Sequence, residues 1–293
     1  MTQNTLKKVE TYCVPLMDHR IRLSDVAAGT FKTIQSRKGF KSAIKKRLVT
    51  LNGKMARTAD YISGGEIIEL FQNPIQNKKP SIALNLEVIF EDDYLAIVQK
   101  PPGIVVSGNR KYTLENALAY NVAKSTQEDA LYRPEPVHRL DYPTSGLLLI
   151  GKTSFALIAL NKLFEEKSIQ KTYHAVTIGF MADHGIIEAP IENKKAKTTF
   201  KVLKRIESRK YESLNLVKLM PSTGRKHQIR IHLASIGSPI LGDSTYGKEG
   251  FIGQGNGLYL HASKLSFMHP VTSQQISERI PLSKKILKLF PDD

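Results

Sequence analysis

Cysteine is almost absent from this sequence, with Cys13 as its only example. One cysteine cannot form an internal disulfide or supply a cysteine-rich zinc site, which favours a reducing cytoplasm. No stretch approaches the roughly 18 to 20 consecutive apolar residues of a membrane span. The opening residues, MTQNTLKKVE, lack the apolar core of a signal peptide. We therefore expect a cytoplasmic protein that is neither secreted nor inserted in a membrane.

Motifs that bind cofactors are also missing. The sequence has no Gly-x-x-x-x-Gly-Lys-Ser/Thr loop for nucleotide phosphates, no dinucleotide glycine fingerprint and no Gly-x-Ser-x-Gly elbow. A strand would place His227 and His232 on opposite faces, and neither has a cysteine or a pair of carboxylates near it in sequence, so we expect no metal site. The sequence therefore predicts chemistry without a cofactor, a nucleotide or a metal.

Acidic residues are scarce relative to basic ones. The 27 Asp and Glu residues against 43 Lys and Arg residues leave a formal net charge of +16. Solubility alone would explain some excess, but a polyanion such as nucleic acid is the more common reason for one of this size. With 41% hydrophobic and 24% charged residues over 293 positions, the chain can form one large domain and one small domain.

The positive charge is concentrated in residues 20–72, which hold 11 basic and 4 acidic residues. Residues 32–47 contain seven of these bases and no acid beside an incomplete apolar stripe, which indicates a helix with one cationic face. Two short strands follow, around an Asn52-Gly53 turn and a two-glycine turn. We predict a small helix-plus-hairpin domain at 20–72, an N-terminal extension at 1–19 and a linker at 73–84.

Residues 85–293 read as a larger domain built mainly of strands. Short apolar runs such as LAIVQK, GLLLIG, YHAVTIGF and LNLVKLM are bounded by glycine, proline, asparagine and charges. The clearest helix is predicted from Thr153 to Glu166, where apolar residues recur at helical spacing behind a Thr/Ser cap. The expected class is α+β, with a mainly antiparallel mixed sheet around a central cleft.

The segment HRLDYPTSGLLLIG, residues 138–151, places polar groups directly before a buried strand. In an extended chain, Arg139 and Asp141 project to one side and His138 to the other. A sharp turn at residues 143–146 follows, and a functional group held rigidly just before such a turn is well placed for catalysis. Taken alone, however, the fragment favours a turn-forming Asp over a catalytic one.

Two later segments supply possible partners for Asp141. In residues 223–243, strand alternation would put Ile229 on one face and Arg230 on the other, where Arg230 could keep the Asp141 carboxylate ionised. A plain sheet-surface arginine is the commoner alternative. In KTYHAVTIGF, residues 171–180, Tyr173 would lie on the open face and could stack on a base. It could equally be a half-buried aromatic residue.

Taken in order, these segments resemble the RluA-type pseudouridine synthase family over nearly the whole chain. The residues that carry the resemblance are VIFEDDYLAIVQKPPGIVV (88–106), TLENAL (113–118), HRLDYPTSGLLL (138–149), KTY (171–173), TGRKHQIRIHLASIGSPILGD (223–243) and LYLHASKLSFMHP (258–270). Residues 20–72 similarly resemble an RNA-binding domain first seen in a small-subunit ribosomal protein. Two features depart from these patterns. Ser107 stands where the family often has His, and Ser24 and residues 27–29 differ from the usual start of the RNA-binding domain.

The resemblance implies an isomerase that breaks the bond from ribose to the uracil nitrogen and re-forms it to carbon 5 of the same base. By the same resemblance, Asp141 is the nucleophile or the base that begins elimination, Arg230 pairs with it, and Tyr173 stacks on the uracil and helps to remove the carbon 5 proton. Arg139 would fill the stack that the flipped base leaves. Further RNA contacts are expected from His138, Arg225, Arg22, Lys32, Arg37, Lys38, Lys41, Lys45, Lys46, Arg47 and Lys54.

RNA is the expected partner, with large-subunit ribosomal RNA first and transfer RNA second, by analogy with proteins that carry the small domain. The alternative from another class is a non-catalytic RNA-binding or ribosome-assembly factor that keeps the fold. The presence of Asp141, Tyr173 and Arg230 argues against it. A methyltransferase is a second alternative, but no glycine-rich cofactor loop supports it.

Overall fold

The computed structural model describes residues 6–26, 30–31, 33–34, 36–72, 80–248, 251 and 257–291. Lys32, residues 27–29 and most of the predicted linker, residues 73–79, lie outside the described residues. The amino-terminal part contains β1 (Lys7–Cys13), β2 (Ile21–Arg22), a 3-10 turn (Leu23–Asp25), α1 (Arg37–Lys45), β3 (Val49–Leu51), β4 (Lys54–Met55), β5 (Tyr61–Ile62) and β6 (Ile67–Gln72).

This small domain packs α1 against a sheet of order β1-β6-β3-β4, with β2 and β5 paired separately. The helix begins after Ser36, whose Oγ accepts a hydrogen bond from the Gly39 amide at 3.0 Å. Phe40 and Ile44 bury the apolar side of α1. The domain boundary predicted at residue 20 leaves out β1, which pairs along β6. All residues of β1 are exposed or half-buried, and its sequence has no apolar run. The sequence-based prediction therefore missed this strand.

The larger part contains ten further β-strands and four helices among the described residues. They are β7 (Glu87–Glu91), β8 (Leu95–Lys100), α2 (Leu114–Asn121), β9 (Ala130–Pro136), β10 (Ser145–Thr153), α3 (Ser154–Glu165), β11 (Gln170–Ile178), β12 (His184–Ile187), β13 (Thr198–Ser208), β14 (Glu212–Pro221), α4 (Gln228–Ser235), β15 (Leu260–Met268), β16 (Gln275–Arg279) and α5 (Lys284–Leu289).

These strands form one sheet of order β12-β13-β14-β11-β15-β10-β8-β7, with β16 beside β15 and β9 beside β10. The described pairs are antiparallel except β10 with β15, which confirms the α+β class and the mainly antiparallel mixed sheet. The predicted helix is also confirmed, as α3, with the Thr153 hydroxyl accepting from the Ala156 amide at 3.1 Å.

One element differs from the sequence-based expectation. Residues 228–235 form the helix α4, so the strand predicted across this segment, with Arg230 looking out from a sheet, is wrong. Isoleucines at alternate positions imitate a strand here, but polar residues between them are buried as well. Buried Gln228, for example, accepts from the Arg225 amide and donates to the Lys197 carbonyl. On this turn His227 and Arg230 are three residues apart, a spacing that makes neighbours of them on a helix.

The parallel pair joins the two halves of the large sheet. Gly146 of β10 lies opposite Ala262 of β15, with φ of +122°, and a Cβ at this glycine would lie 2.2 Å from the Ala262 carbonyl oxygen. Beside it, Ser145 Oγ and His261 Nδ1 are 2.9 Å apart, and His261 Nε2 lies 3.1 Å from the Pro281 carbonyl. The turn before β10 is therefore fixed to the centre of the sheet.

In the described part of the chain, no helix combines the length and the apolar character that a bilayer crossing needs. The same residues contain no group of three or more His, Cys, Asp or Glu side chains placed to hold a metal. His232, one of the two histidines weighed above, is fully buried, with Nδ1 2.9 Å from Thr198 Oγ1 and Nε2 3.0 Å from the Ala189 carbonyl.

Candidate active site

Two adjoining cavities meet at Asp141. The outer cavity, of about 640 Å³, extends toward Ser107 and Tyr142, and the inner cavity, of about 310 Å³, extends toward Lys171 and Tyr173. Both volumes fall in the range of about 300 to 1,000 Å³ that is usual for ligand sites. Five residues line both cavities: Arg139, Leu140, Asp141, His227 and Arg230. The Asp141 side chain is 16% exposed, so its carboxylate is accessible from a largely enclosed position.

Two nitrogen groups flank the Asp141 carboxylate. Oδ2 lies 3.8 Å from Arg230 Nη1, and Oδ1 lies 3.8 Å from His227 Nε2. Both separations exceed hydrogen-bond length. The Asp141 oxygens therefore lie beside the guanidinium of Arg230 and stay open to a substrate.

Arg230 has a closer partner that the sequence did not reveal. Its Nε and Nη2 donate to the two carboxylate oxygens of Asp243, each at 2.7 Å, and both side chains are almost fully buried. Burial alone would raise the pKa of Asp243, but hydrogen bonds from Arg230 and from the Tyr246 and Thr245 amides hold that pKa below its usual value. The expected pairing of Arg230 with Asp141 is thus a 3.8 Å contact, made by a guanidinium that Asp243 fixes in place.

His227 is positioned by Tyr246. The residue has left-handed backbone angles, φ 56° and ψ 21°, at the start of α4, and its Nδ1 lies 2.9 Å from the Tyr246 hydroxyl. Burial, together with the nearby charges of Arg230 and Lys226, keeps the pKa of His227 below its usual value, although Asp141 acts in the opposite direction. With the Tyr246 hydroxyl as donor to Nδ1, the Nε2 proton of neutral His227 faces Asp141.

Tyr173 lies on β11 at the boundary between two hydrophobic clusters, and its half-buried ring packs against both. It lines the inner cavity together with Asp141. Burial, and secondarily the negative charge of Asp141, raise the pKa of the Tyr173 phenol well above its ordinary value. The phenol is therefore neutral at physiological pH and offers a stacking surface and a hydrogen-bond donor rather than a base.

The other predicted contacts beside the cavities differ in character. Arg139 is exposed and lines both cavities, and exposed Arg225 lines the inner one while its Nε donates to the Lys195 carbonyl at 3.1 Å. His138 instead accepts from the Leu149 amide at 3.1 Å and packs on Phe164. Burial lowers the pKa of His138 to about 3, so this side chain is a neutral structural group.

The predicted contacts of the small domain lie away from the described linings of both cavities. The described ones are Arg22, Arg37, Lys38, Lys41, Lys45, Lys46, Arg47 and Lys54, and all are exposed except the half-buried Lys41. Arg37 pairs with Asp25 at 2.5 Å, and Arg22 Nε donates to the Tyr61 hydroxyl at 3.1 Å. The structure therefore separates a set of surface cations from the cleft around Asp141.

Lys100 is a further residue that the sequence did not reveal. Its side chain is fully buried, and Nζ donates to the carbonyls of Pro101 at 2.9 Å, Tyr142 at 3.2 Å and Thr144 at 2.8 Å. Burial lowers the pKa of Lys100 to about 8, while the charge of Asp141 acts to raise it. One ammonium group therefore holds the backbone on the carboxyl side of Asp141.

We expect Lys100→Met to lower kcat more than it raises KM, because the turn that carries Asp141 loses its tether. The free energy of unfolding should fall by about 2 kcal/mol or more, since buried carbonyls lose their donor. Lys152→Met is the matched control: this lysine is also buried but pairs with Glu91 at 2.7 Å, away from the turn. Steady-state kinetics and urea unfolding test both variants, and equal losses of kcat would contradict a positioning role for Lys100.

Comparison with known proteins places this chain in a family. Residues 94–235 match a family model described as RNA pseudouridylate synthase. An uncharacterized RNA pseudouridine synthase of Aquifex aeolicus is 37% identical over 268 residues, covering 82% of this chain and 83% of the relative. Ribosomal large subunit pseudouridine synthase D of Buchnera aphidicola is 33% identical, covering 97% of this chain and 98% of the relative.

A solved structure agrees on the fold. Human RNA pseudouridylate synthase domain containing 1 superposes with a TM-score of 0.57 at 24% identity, covering 69% of this chain and 85% of that one. The family model and the two relatives above confirm the resemblance to the RluA-type family that the ordered motifs carry.

Proposed function

The chain belongs to the RNA pseudouridylate synthase family, and we propose that it converts specific uridines of large-subunit ribosomal RNA to pseudouridine without a cofactor, with Asp141 as the reacting acid. The observation that carries the assignment of Asp141 is its position at the junction of two cavities, 3.8 Å from both Arg230 and His227. The Buchnera aphidicola relative, which is named for the ribosomal large subunit, supports this RNA as the substrate. Action in the cytoplasm is part of the same proposal.

The proposed reaction rearranges one nucleoside. The bond from ribose carbon 1′ to uracil nitrogen 1 breaks, the bond from carbon 1′ to carbon 5 forms, carbon 5 loses a proton and nitrogen 1 gains one. Asp141 either attacks the sugar as a nucleophile or removes a proton to begin elimination, and both routes need an ionised carboxylate that faces the ribose. Arg230, fixed by Asp243, supplies a positive charge 3.8 Å from Asp141, and neither Arg230 nor His227 lies within hydrogen-bond distance of the carboxylate oxygens.

The uracil must leave its stack before it reaches Asp141, at a cost of a few kcal/mol. We propose that exposed Arg139, which lines both cavities, fills the vacated position and that the Tyr173 ring stacks on the flipped uracil; their positions in the cavity lining support both roles. The detached base must stay in the cavity while it turns, because water that captured the sugar would damage the RNA. The limited exposure of Asp141 supports such shielding.

The small domain is proposed to supply RNA affinity through the cations of α1. Lys38, Lys41 and Lys45 recur three and four residues apart, so they share one face of the helix. We expect replacement of all three by Gln to weaken RNA binding and to flatten its salt dependence by about 0.7 to 0.9 in log K per log salt for each phosphate contact that is lost. Binding measured across a salt series tests this expectation, and an unchanged slope would contradict it.

The proposed activity is tested by incubating the protein with unmodified cellular RNA in the absence of any cofactor and mapping carbodiimide-reactive uridines. Wild-type protein should produce reactive sites in large-subunit ribosomal RNA, and Asp141→Asn should produce none. Reactive sites confined to transfer RNA would make transfer RNA the substrate. Equal signals from both proteins would favour the non-catalytic RNA-binding alternative.

A further inference from the structure

Lys171 is a half-buried cation in the inner cavity that has no anionic partner among the described residues. It lies on β11 two residues before Tyr173, on the same side of the strand, and lines the cavity with it. No carboxylate of the described chain lies within 4.0 Å of its ammonium group, which instead lies 5.6 Å from the centre of the Phe164 ring. Burial accordingly lowers the pKa of Lys171.

Other buried lysines of this protein are compensated differently. Lys152 pairs with Glu91 at 2.7 Å, and Lys100 donates to three backbone carbonyls. A cation that is partly removed from water and faces an open cavity without such compensation is costly unless a ligand supplies the opposite charge. The position of Lys171 therefore points to an anion that arrives with the substrate.

The charge of the inner cavity agrees with an anionic ligand. Its described lining contains the cations Lys171, Arg139, Arg225, Lys226 and Arg230 and one acid, Asp141. Arg230 is neutralised by its bidentate contact with Asp243. Even without Arg230, the four remaining cations of the described lining outnumber its single acid, Asp141.

We propose that Lys171 binds a backbone phosphate of the RNA, the one attached to the target uridine, inside the inner cavity. Two residues along a strand span roughly 7 Å, so a uracil against Tyr173 leaves the phosphate of the same nucleotide within reach of Lys171. A lysine suits this task because its ammonium is a compact charge with three donors. The proposal rests on the proposed function for the identity of the nucleic acid, and it adds that the site reads the target nucleotide by its phosphate as well as by its base.

The test compares two small probes on the full-length protein, uridine and uridine 3′,5′-bisphosphate, by isothermal calorimetry. Wild-type protein should bind the bisphosphate more tightly than uridine. Lys171→Met should weaken bisphosphate binding about 10-fold or more while leaving uridine binding unchanged, and Lys171→Arg should keep most of the difference. Lys264→Met is the matched control, because exposed Lys264 lies opposite Thr172 on the neighbouring strand and outside the cavity lining.

Three results would overturn the proposal: no measurable bisphosphate binding by wild-type protein, unchanged bisphosphate affinity in Lys171→Met, or an equal loss for both probes, which would mean that Lys171 only shapes the cavity.

RNA turnover separates this proposal from the proposed function. Pseudouridine formation that persists in Lys171→Met with unchanged KM and salt dependence would leave the function standing and remove the phosphate site. Selective bisphosphate binding without Asp141-dependent formation of pseudouridine would instead keep the phosphate site and remove the proposed function.

Discussion

Replacing Asp141 by Asn is expected to lower the rate of pseudouridine formation by at least about 10⁴-fold, to the background of the assay. Asn has nearly the same shape but can neither attack the sugar nor accept a proton from it, so the reacting group itself is lost. The ionisable groups of Arg230 and His227 lie 3.8 Å from the Asp141 carboxylate, and the side chain is partly exposed. Stability should therefore change little, and single-turnover kinetics on the mapped RNA measure the effect.

Asp183→Asn is the matched control for this substitution. Asp183 is 79% exposed and pairs with Arg205 at 3.1 Å, outside the linings of both cavities. It should keep wild-type turnover and lose less than about 1 kcal/mol of stability. A comparable loss of turnover in both variants, or activity of Asp141→Asn within tenfold of wild type, would show that Asp141 is not the reacting acid.

The second large effect is expected for Asp243→Asn, as a loss of stability. Its carboxylate is 1% exposed and carries the only short ion pair that the described residues give to Arg230, whose side chain is 4% exposed. Removing one partner of a buried pair typically costs about 3 to 5 kcal/mol, because the other charge stays buried. Arg230 would also lose the contact that aims it, so turnover should fall together with the free energy of unfolding in urea.

The pH dependence gives this prediction a second measurement. The unfolded chain has an Asp243 pKa near the ordinary 3.8, and the folded protein holds it lower. A depressed carboxyl pKa contributes stability that is complete above the unfolded value and is lost as the pH falls through the folded one. The stability difference between wild type and Asp243→Asn should therefore be constant above about pH 5 and shrink below about pH 4. A difference that grows on acidification would contradict the ion pair as its source.

Local patterns were enough to predict much of the large domain. The helix α3 follows from its Thr153 cap and its apolar spacing, and both features act within a few residues of one another. The position of Tyr173 on a strand beside Asp141 likewise follows from alternation in a short segment and from the resemblance of the ordered motifs. Such features depend on neighbouring residues, which a sequence displays directly.

The errors and omissions involve contacts between distant parts of the chain. Arg230 was expected on a strand because isoleucines alternate around it, and only the buried partner Asp243 shows why a polar helix is stable there. Buried Lys100 has partners because its ammonium donates to carbonyls more than 40 residues later in the chain. The strand β1 has no fully buried side chain, so its sequence lacks the apolar pattern of a strand. Its antiparallel pairing with β6, more than 50 residues later in the chain, makes it a strand.

Asp141 is proposed to start an isomerisation in which carbon 5 of uracil loses its hydrogen and becomes bonded to the sugar. Tritium release from RNA labelled at uridine carbon 5, in buffer without cofactor, tests this role. Wild-type protein should release tritium in step with the pseudouridine formed, and Asp141→Asn should release none. Release that is equal in both proteins, or pseudouridine that forms in Asp141→Asn at the wild-type rate, would contradict this role.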